Sequence, residues 1–211
     1  YNIYIEREKY MKLGLISLGC AKNRIDSELF LGVAKQYNIE LTSSIDEADI
    51  IVINTCGFIE SAKQEAIDTI LEVCDYENKK IVVMGCLVER YQQSLEKSIP
   101  EVDFYFPIRD YDNIDELFKK LTSSTESHKM DYTKRVITTS NHSVYLRIAE
   151  GCDNKCAYCA IPLIRGKFKS RDFDSLIEET KVLVANGAKE ITLIAQDTTR
   201  YGTDFKDKDP R

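Results

Sequence analysis

The chain has 211 residues, 43% hydrophobic and 30% charged, with 9 Gly, 4 Pro and 7 Cys, a globular make-up long enough for one full domain and part of another. Formal charge is −6 but uneven: residues 1–130 carry 15 basic and 23 acidic side chains (−8), residues 131–211 carry 14 and 12 (+2), so the first part makes a poor nucleic-acid face. No apolar run approaches the ~18–20 residues that span a membrane, the start YNIYIEREKY lacks a signal peptide's order, and an odd cysteine count argues against a disulfide framework. Reduced thiols in a cytoplasm are the expectation.

Met11 opens the first clear strand, which leaves residues 1–10 as a peripheral extension. Leu13–Leu18 is an apolar run ending at Gly19-Cys20, with a helical stretch from about Asn23 to Gln36. Ile50–Ile53 ends at Asn54-Thr55-Cys56 and leads to a helix from about Glu60 to Cys74. Ile81–Met84 ends at Gly85-Cys86, again before a helix. Val102–Phe106 is a short last strand and Ile114–Leu121 a closing helix. Continuous apolar strands alternating with amphipathic helices predict an α/β domain, residues 11–121, whose parallel sheet is covered on both faces.

From Thr122 the chain turns polar (TSSTESHKMDYTK), a linker over 122–140. A second unit, 141–211, opens with a strand at Val144–Ala149. A helix over Phe173–Asn186 with Gly187 at its end and a strand at Ile191–Ala195 follow. Two strands neither close a barrel nor bury a core, so the chain is expected to stop partway through its second domain.

Cys20, Cys56 and Cys86 share one context: each follows a strand's end and precedes a helix. In open α/β sheets such loops line the ligand crevice, and nearby helix N-termini favour thiolate. Buried packing is the competing reading for any one of them, and it is the reading for Cys74, which has Ile70 and Leu71 beside it. Asn54 and Thr55 either orient the Cys56 loop or satisfy turn hydrogen bonds. His128 and His142 adjoin no cysteine cluster. The basic run Arg165, Lys167, Lys169, Arg171 suits either an anionic ligand or a solvated loop.

Cys152, Cys156 and Cys159 are spaced C-x3-C-x2-C with no fourth cysteine close behind. Electron-transfer clusters are normally held by four cysteines and structural zinc by four ligands. Three thiolates on a four-iron cluster leave one iron open, which reads as a catalytic site. Tyr158, between the last two cysteines, can shield a cluster and pack on an adenine.

This loop resembles the signature of the radical S-adenosylmethionine superfamily. RIAEGCDNKCAYCAIPLIRGKFKSR at 147–171, ISLGCAKNRIDSE at 16–28, VINTCGFIESAKQEAI at 52–67 and VVMGCL at 82–87 are similar to its methylthiotransferases. Gln196-Asp197-Thr198 with Tyr201-Gly202 resembles the branch that modifies a ribosomal protein. The resemblance implies two 4Fe–4S clusters, one on Cys152, Cys156 and Cys159 that takes S-adenosylmethionine, and an auxiliary one on Cys20, Cys56 and Cys86 that carries the sulfur. It implies the start of a partial (β/α)6 barrel after the first domain. Tyr158, Arg165, Arg171 and Gln196 become candidate cofactor contacts, with Asp197 on the barrel's carboxyl edge. The implied reaction is methylthiolation of the β-carbon of an aspartate in small-subunit ribosomal protein twelve, with an electron donor and a sulfur source as further partners. Modification of a tRNA adenosine is the rival enzyme reading, and a non-catalytic iron–sulfur protein is the rival class.

Overall fold

The computed structural model describes residues 10–205; the expected extension over 1–9 and the last residues, 206–211, lie outside them. Five strands, β1 (Lys12–Ser17), β2 (Glu40–Thr42), β3 (Ile50–Thr55), β4 (Lys80–Gly85) and β5 (Phe104–Phe106), form a sheet in the order β2-β1-β3-β4-β5. Every pair is parallel, so each connection must cross over, and helices do this at three of the four: α1 (Ala21–Gln36), α2 (Glu60–Cys74) and α3 (Cys86–Ser98). The helix α4 (Ile114–Thr122) follows β5.

All six residues of β3 are buried, and the pleat divides them between two cores. Ile50 and Val52 pack with Phe30, Val33 and Phe118 from α1 and α4. Ile51 and Ile53 pack with Ala66, Ile70 and Leu87 from α2 and α3. Full burial of such a side chain is worth about 1.5–3 kcal/mol, and this two-faced demand explains why β3 is a continuous apolar run. The strand order reverses between β1 and β3, and the crevice outside the carboxyl ends at that switch is where open α/β sheets bind ligands.

In the second unit β6 (Ser143–Arg147) pairs in parallel with β9 (Glu190–Ile194), and α6 (Phe173–Ala185) crosses between them, packing its Leu176 and Leu183 with Val144 and Leu146. Asp172 caps α6 by accepting from Ser175 N–H, and Gly187 takes the left-handed step after it at φ +103°. A two-residue hairpin pair, β7 (Ala149–Glu150) antiparallel to β8 (Lys169–Ser170), clasps the 151–168 segment, which includes the short helix α5 (Ile161–Arg165). The far side of this unit is bare: Leu193, Val184, Phe173 and Ile177 are exposed.

The expected strand over Val144–Ala149 is in fact two. Ile148 N–H donates to Ile194 O while Ile148 O accepts from Arg171 N–H, so the backbone changes partner there. The segments β2, β7, β8 and α5, absent from the sequence reading, have five residues or fewer, too few to show a period. The polar stretch 122–140 lies along α1. A Cβ at Gly32 would come within 2.6 Å of Lys134 O, and Val136 N–H donates to Glu28 O. No helix among the described residues is long and apolar enough to cross a membrane.

Candidate functional site

Cys20 stands at the cap of α1, Cys56 follows the last residue of β3, and Cys86 is the first residue of α3. Asn23, in the first turn of α1, ties these loops together. Its Nδ2 donates to Thr55 O (2.9 Å) and Asn54 Oδ1 (3.2 Å), while Asn54 Nδ2 donates to Asn23 O (2.7 Å) and Ser27 Oγ (3.0 Å). Its Oδ1 accepts from the Cys20 thiol at 3.3 Å and the Cys86 thiol at 3.8 Å. A Cβ at Gly19 would lie 3.0 Å from Cys56 Cβ, and one at Gly57 would lie 2.8 Å from Cys86 O. Gly85, at φ +100°, has Thr55 O 2.6 Å from where its Cβ would be, so the close approach of the β3 and β4 ends requires glycine. Cys20 and Cys86 thus share Asn23 Oδ1 while Cys56 lies against Gly19, and Asn54 and Thr55 tie the end of β3 to Asn23, Ser27 and Met84.

Burial pushes the Cys86 thiol up, and Arg165 pulls it back through a guanidinium whose Nη2 lies 3.4 Å from Cys86 Sγ. Close by, the Tyr111 hydroxyl is cut off from solvent and has no partner. Burial pushes this phenol well above its ordinary value, with Asp26, Arg165 and Cys86 the leading charges acting on it. Among the described residues no group of three or more His, Cys, Asp or Glu stands ready to hold a single metal ion. A four-iron cluster spreads its thiolates around a cube, and three thiols on separate loops with an orphaned donor beside them suit that larger group.

The second trio is differently built. Cys152 is buried, Cys159 half-buried and Cys156 exposed. Cys152 N–H donates to Gly166 O and Cys159 N–H to Cys156 O, both at 3.1 Å, so the loop turns back on itself with its thiols on a few residues of backbone. Its donor set, three thiols and no imidazole, fits an iron–sulfur cluster. Tyr158 is 89% exposed.

A buried ion network joins the two trios. Asp26 Oδ1 takes Arg147 Nη1 at 2.5 Å and its Oδ2 takes Arg165 Nη1 at 2.7 Å. Glu150 meets Arg147 (2.9 Å), Arg165 (3.4 Å) and Lys22 (2.9 Å). Burial alone would raise the Glu150 carboxyl, but Arg147, Arg165 and Lys22 outweigh it and hold it at about 2. Lys22 Nζ also donates to Gln196 Oε1 (2.5 Å) and Ala149 O (3.3 Å). Gln196 thus faces the first domain's α1, and Asp197 caps the turn after it by accepting from Thr199 N–H.

The basic run divides: Lys167 and Lys169 are exposed, Arg165 is buried, and Arg171 turns inward. Arg171 donates to Arg147 O, Glu179 Oε2 and Ser175 Oγ, and its guanidinium lies 3.4 Å from the centre of the Tyr132 ring. These contacts make it an anchor between the 122–140 stretch and α6. A second buried group completes that anchor: Arg135 pairs with Glu28 and lies 2.9 Å from Glu179 Oε1. Sequence reasoning missed Lys22, Asn23, Asp26, Tyr111, Arg147 and Glu150. Asn23 and Asp26 sit three residues apart in the first two turns of α1, a polar stripe where a core helix would carry apolar residues, and that was their one signal.

The family model described as Uncharacterized protein family UPF0004 matches residues 12–107. The chain is 50% identical over 206 residues to the ribosomal protein uS12 methylthiotransferase RimO of Clostridium tetani, covering 92% of this chain and 46% of that protein. It is 48% identical over 203 residues to the protein of the same name from Sulfurihydrogenibium sp., covering 95% and 46%. The chain therefore spans about half the length of the curated relatives it matches. Among solved structures its fold is similar to that of the cobalamin-dependent S-adenosylmethionine radical enzyme OxsB with aqua-cobalamin and S-adenosylmethionine bound. The TM-score there is 0.52 at 12% identity, over 85% of this chain and 32% of that one.

Proposed function

We propose that this chain forms the two-cluster part of a methylthiotransferase, an enzyme adding a methylthio group to the β-carbon of an aspartate in ribosomal protein uS12. Cys152, Cys156 and Cys159 are its ligands for one 4Fe–4S cluster, and Cys20, Cys56 and Cys86 for the other. Such clusters, each with an iron free of protein ligands, supply the radical cleavage of S-adenosylmethionine and the delivery of sulfur. A C–H bond offers no acid–base handle, which is why the site holds thiols and a charge network and needs no His–carboxylate pair.

The chain's own residues bind and orient. Exposed Tyr158 offers a ring face to an adenine. Arg165 neutralises charge at the first trio, since its guanidinium reaches Cys86 while its own position is fixed by Asp26. Gln196 and Lys22 hold the carboxyl edge of β9 against α1, and Arg171 fixes the second unit's helix to Tyr132. The bare outer side of β9 and α6 offers the apolar face that further strands and helices of a partial barrel would cover. An electron donor and a sulfur source complete the reaction, in a reducing cytoplasm that spares the thiols.

The observation that carries this reading is the bridge itself. Arg165 touches Cys86 through its side chain, and the next carbonyl, of Gly166, accepts from Cys152 N–H. One short segment thereby sets the distance between the trios. Iron and acid-labile sulfide per full-length chain test it. About eight irons should fall to about four, as two four-iron cubanes require, when Cys20→Ala, Cys56→Ala and Cys86→Ala are combined. About four irons in both proteins would remove the first trio from the site. Product analysis with the ribosomal protein and with tRNA then separates the two substrates, and methylthio-adenosine in tRNA would overturn the ribosomal one.

A further inference from the structure

Tyr111 lies in the 3-10 turn Ile108–Asn113 between β5 and α4. Its ring stacks on Phe106 at 5.4 Å and 22°. Phe106 pairs with Met84, two residues before Cys86, and the turn packs against α3, which Cys86 opens. The ring is therefore held from behind, and the hydroxyl is sealed from water with no partner. Leaving a buried donor unsatisfied is costly, so such a group is retained where something else accepts from it. The nearby carboxylate is already engaged: Asp26 Oδ1 holds Arg147 and Oδ2 holds Arg165. Cys86 is the other acceptor acting on this phenol, and its sulfur belongs to the first trio. By contrast the hydroxyl of Tyr105, also half-buried, donates to Ile99 O at 2.8 Å and is near Leu95 O at 3.2 Å.

We propose that the Tyr111 hydroxyl is a positioning donor that hydrogen-bonds the sulfur of the group held by Cys20, Cys56 and Cys86 and, together with Arg165, raises its reduction potential. This rests on the reading of that trio as a cluster site. Hydrogen bonds to cluster sulfur stabilise the extra negative charge of the reduced state, which is how a protein raises such a potential. The phenol adds a neutral donor to the positive guanidinium on Cys86.

The test uses the full-length chain carrying Cys152→Ala, Cys156→Ala and Cys159→Ala, so that the first trio alone is loaded anaerobically with iron and sulfide. Tyr111→Phe keeps the ring on Phe106 and removes the oxygen alone. Iron per chain should be unchanged, the potential from a redox titration followed by electron paramagnetic resonance should fall, and one deuteron coupling seen after exchange into D2O should vanish. Tyr105→Phe, whose hydroxyl has backbone partners, should move neither reading. An unchanged potential and coupling in Tyr111→Phe, or an equal shift in Tyr105→Phe, overturns the proposal while leaving the trio as a cluster site. A parent protein that binds no iron overturns the cluster reading itself, and this proposal with it.

Discussion

Cys152, Cys156 and Cys159 come from one loop, whereas Cys20, Cys56 and Cys86 come from three loops at the carboxyl edge of a parallel sheet whose central strand is fully buried. The local trio needs little from the fold: its spacing places the thiols together, and a hairpin of two residues on each side closes it. The dispersed trio needs almost everything: Gly57 and Gly85 with no room for a Cβ, Gly19 at φ +108°, the Asn23–Asn54 pair, and a parallel sheet in register. Local sites are encoded by spacing and tolerate a loose surrounding. Dispersed sites are encoded by topology and inherit the rigidity of the core.

The sharpest way to break that contrast is Asp26→Ala, which removes the carboxylate between the trios and leaves Glu150 alone to pair two buried guanidiniums. Loss of one partner from such a buried group costs about 3–5 kcal/mol, and urea denaturation of the full-length chain should show it. A loss under about 1 kcal/mol would mean that the network does not hold the two units together. Next in size is Gly85→Ala, where a left-handed backbone and the Thr55 oxygen 2.6 Å away predict about 1–3 kcal/mol and depleted iron in the first trio alone. Gly166→Ala, at φ +70° with nothing within 4 Å of its Cβ, should cost about 1–2 kcal/mol from backbone alone and leave the first trio's iron intact. Equal effects on that iron would erase the distinction.

Acid provides a smaller, graded test. Because Glu150 is held at about 2 in the fold, its contribution is fully present above its unfolded value and is lost as pH falls toward the folded one. Stability should decline between about pH 5 and pH 2, less steeply in Glu150→Gln than in the parent; parallel curves would remove Glu150 from the junction. Least disturbing of all, Tyr158→Ala should shift stability by no more than about 0.5 kcal/mol, as an exposed side chain does. In the loaded full-length enzyme it should nonetheless weaken S-adenosylmethionine binding measured by calorimetry. Unchanged affinity would take Tyr158 out of the cofactor site.

Much of this was legible in the chain. The strands β1, β3 and β4 announce themselves because burial on both faces demands uninterrupted apolar residues, and the positions of Cys20, Cys56 and Cys86 after them follow from that reading. The helix boundaries shifted by a residue or two, as with α1, which begins at Ala21. Arg165 and Arg171 read alike as members of one basic run, yet the structure turns Arg165 to Cys86 and Arg171 to Glu179 and Tyr132. Side-chain direction there depends on α5 and β8, elements too short to leave a pattern.

By itself the sequence determined the alternation of strand and helix, the thiol-rich chemistry and the C-x3-C-x2-C loop, because periodicity and spacing are local properties. Only the tertiary structure decided that Asn23 sits among the first trio, that Asp26 clamps Arg147 and Arg165 from more than a hundred residues away in sequence, and that Tyr111 is left without a partner beside Cys86. Those facts depend on which buried polar groups meet when the sheet and the second unit close against α1. A polar side chain carries no mark in sequence of the partner that will satisfy it.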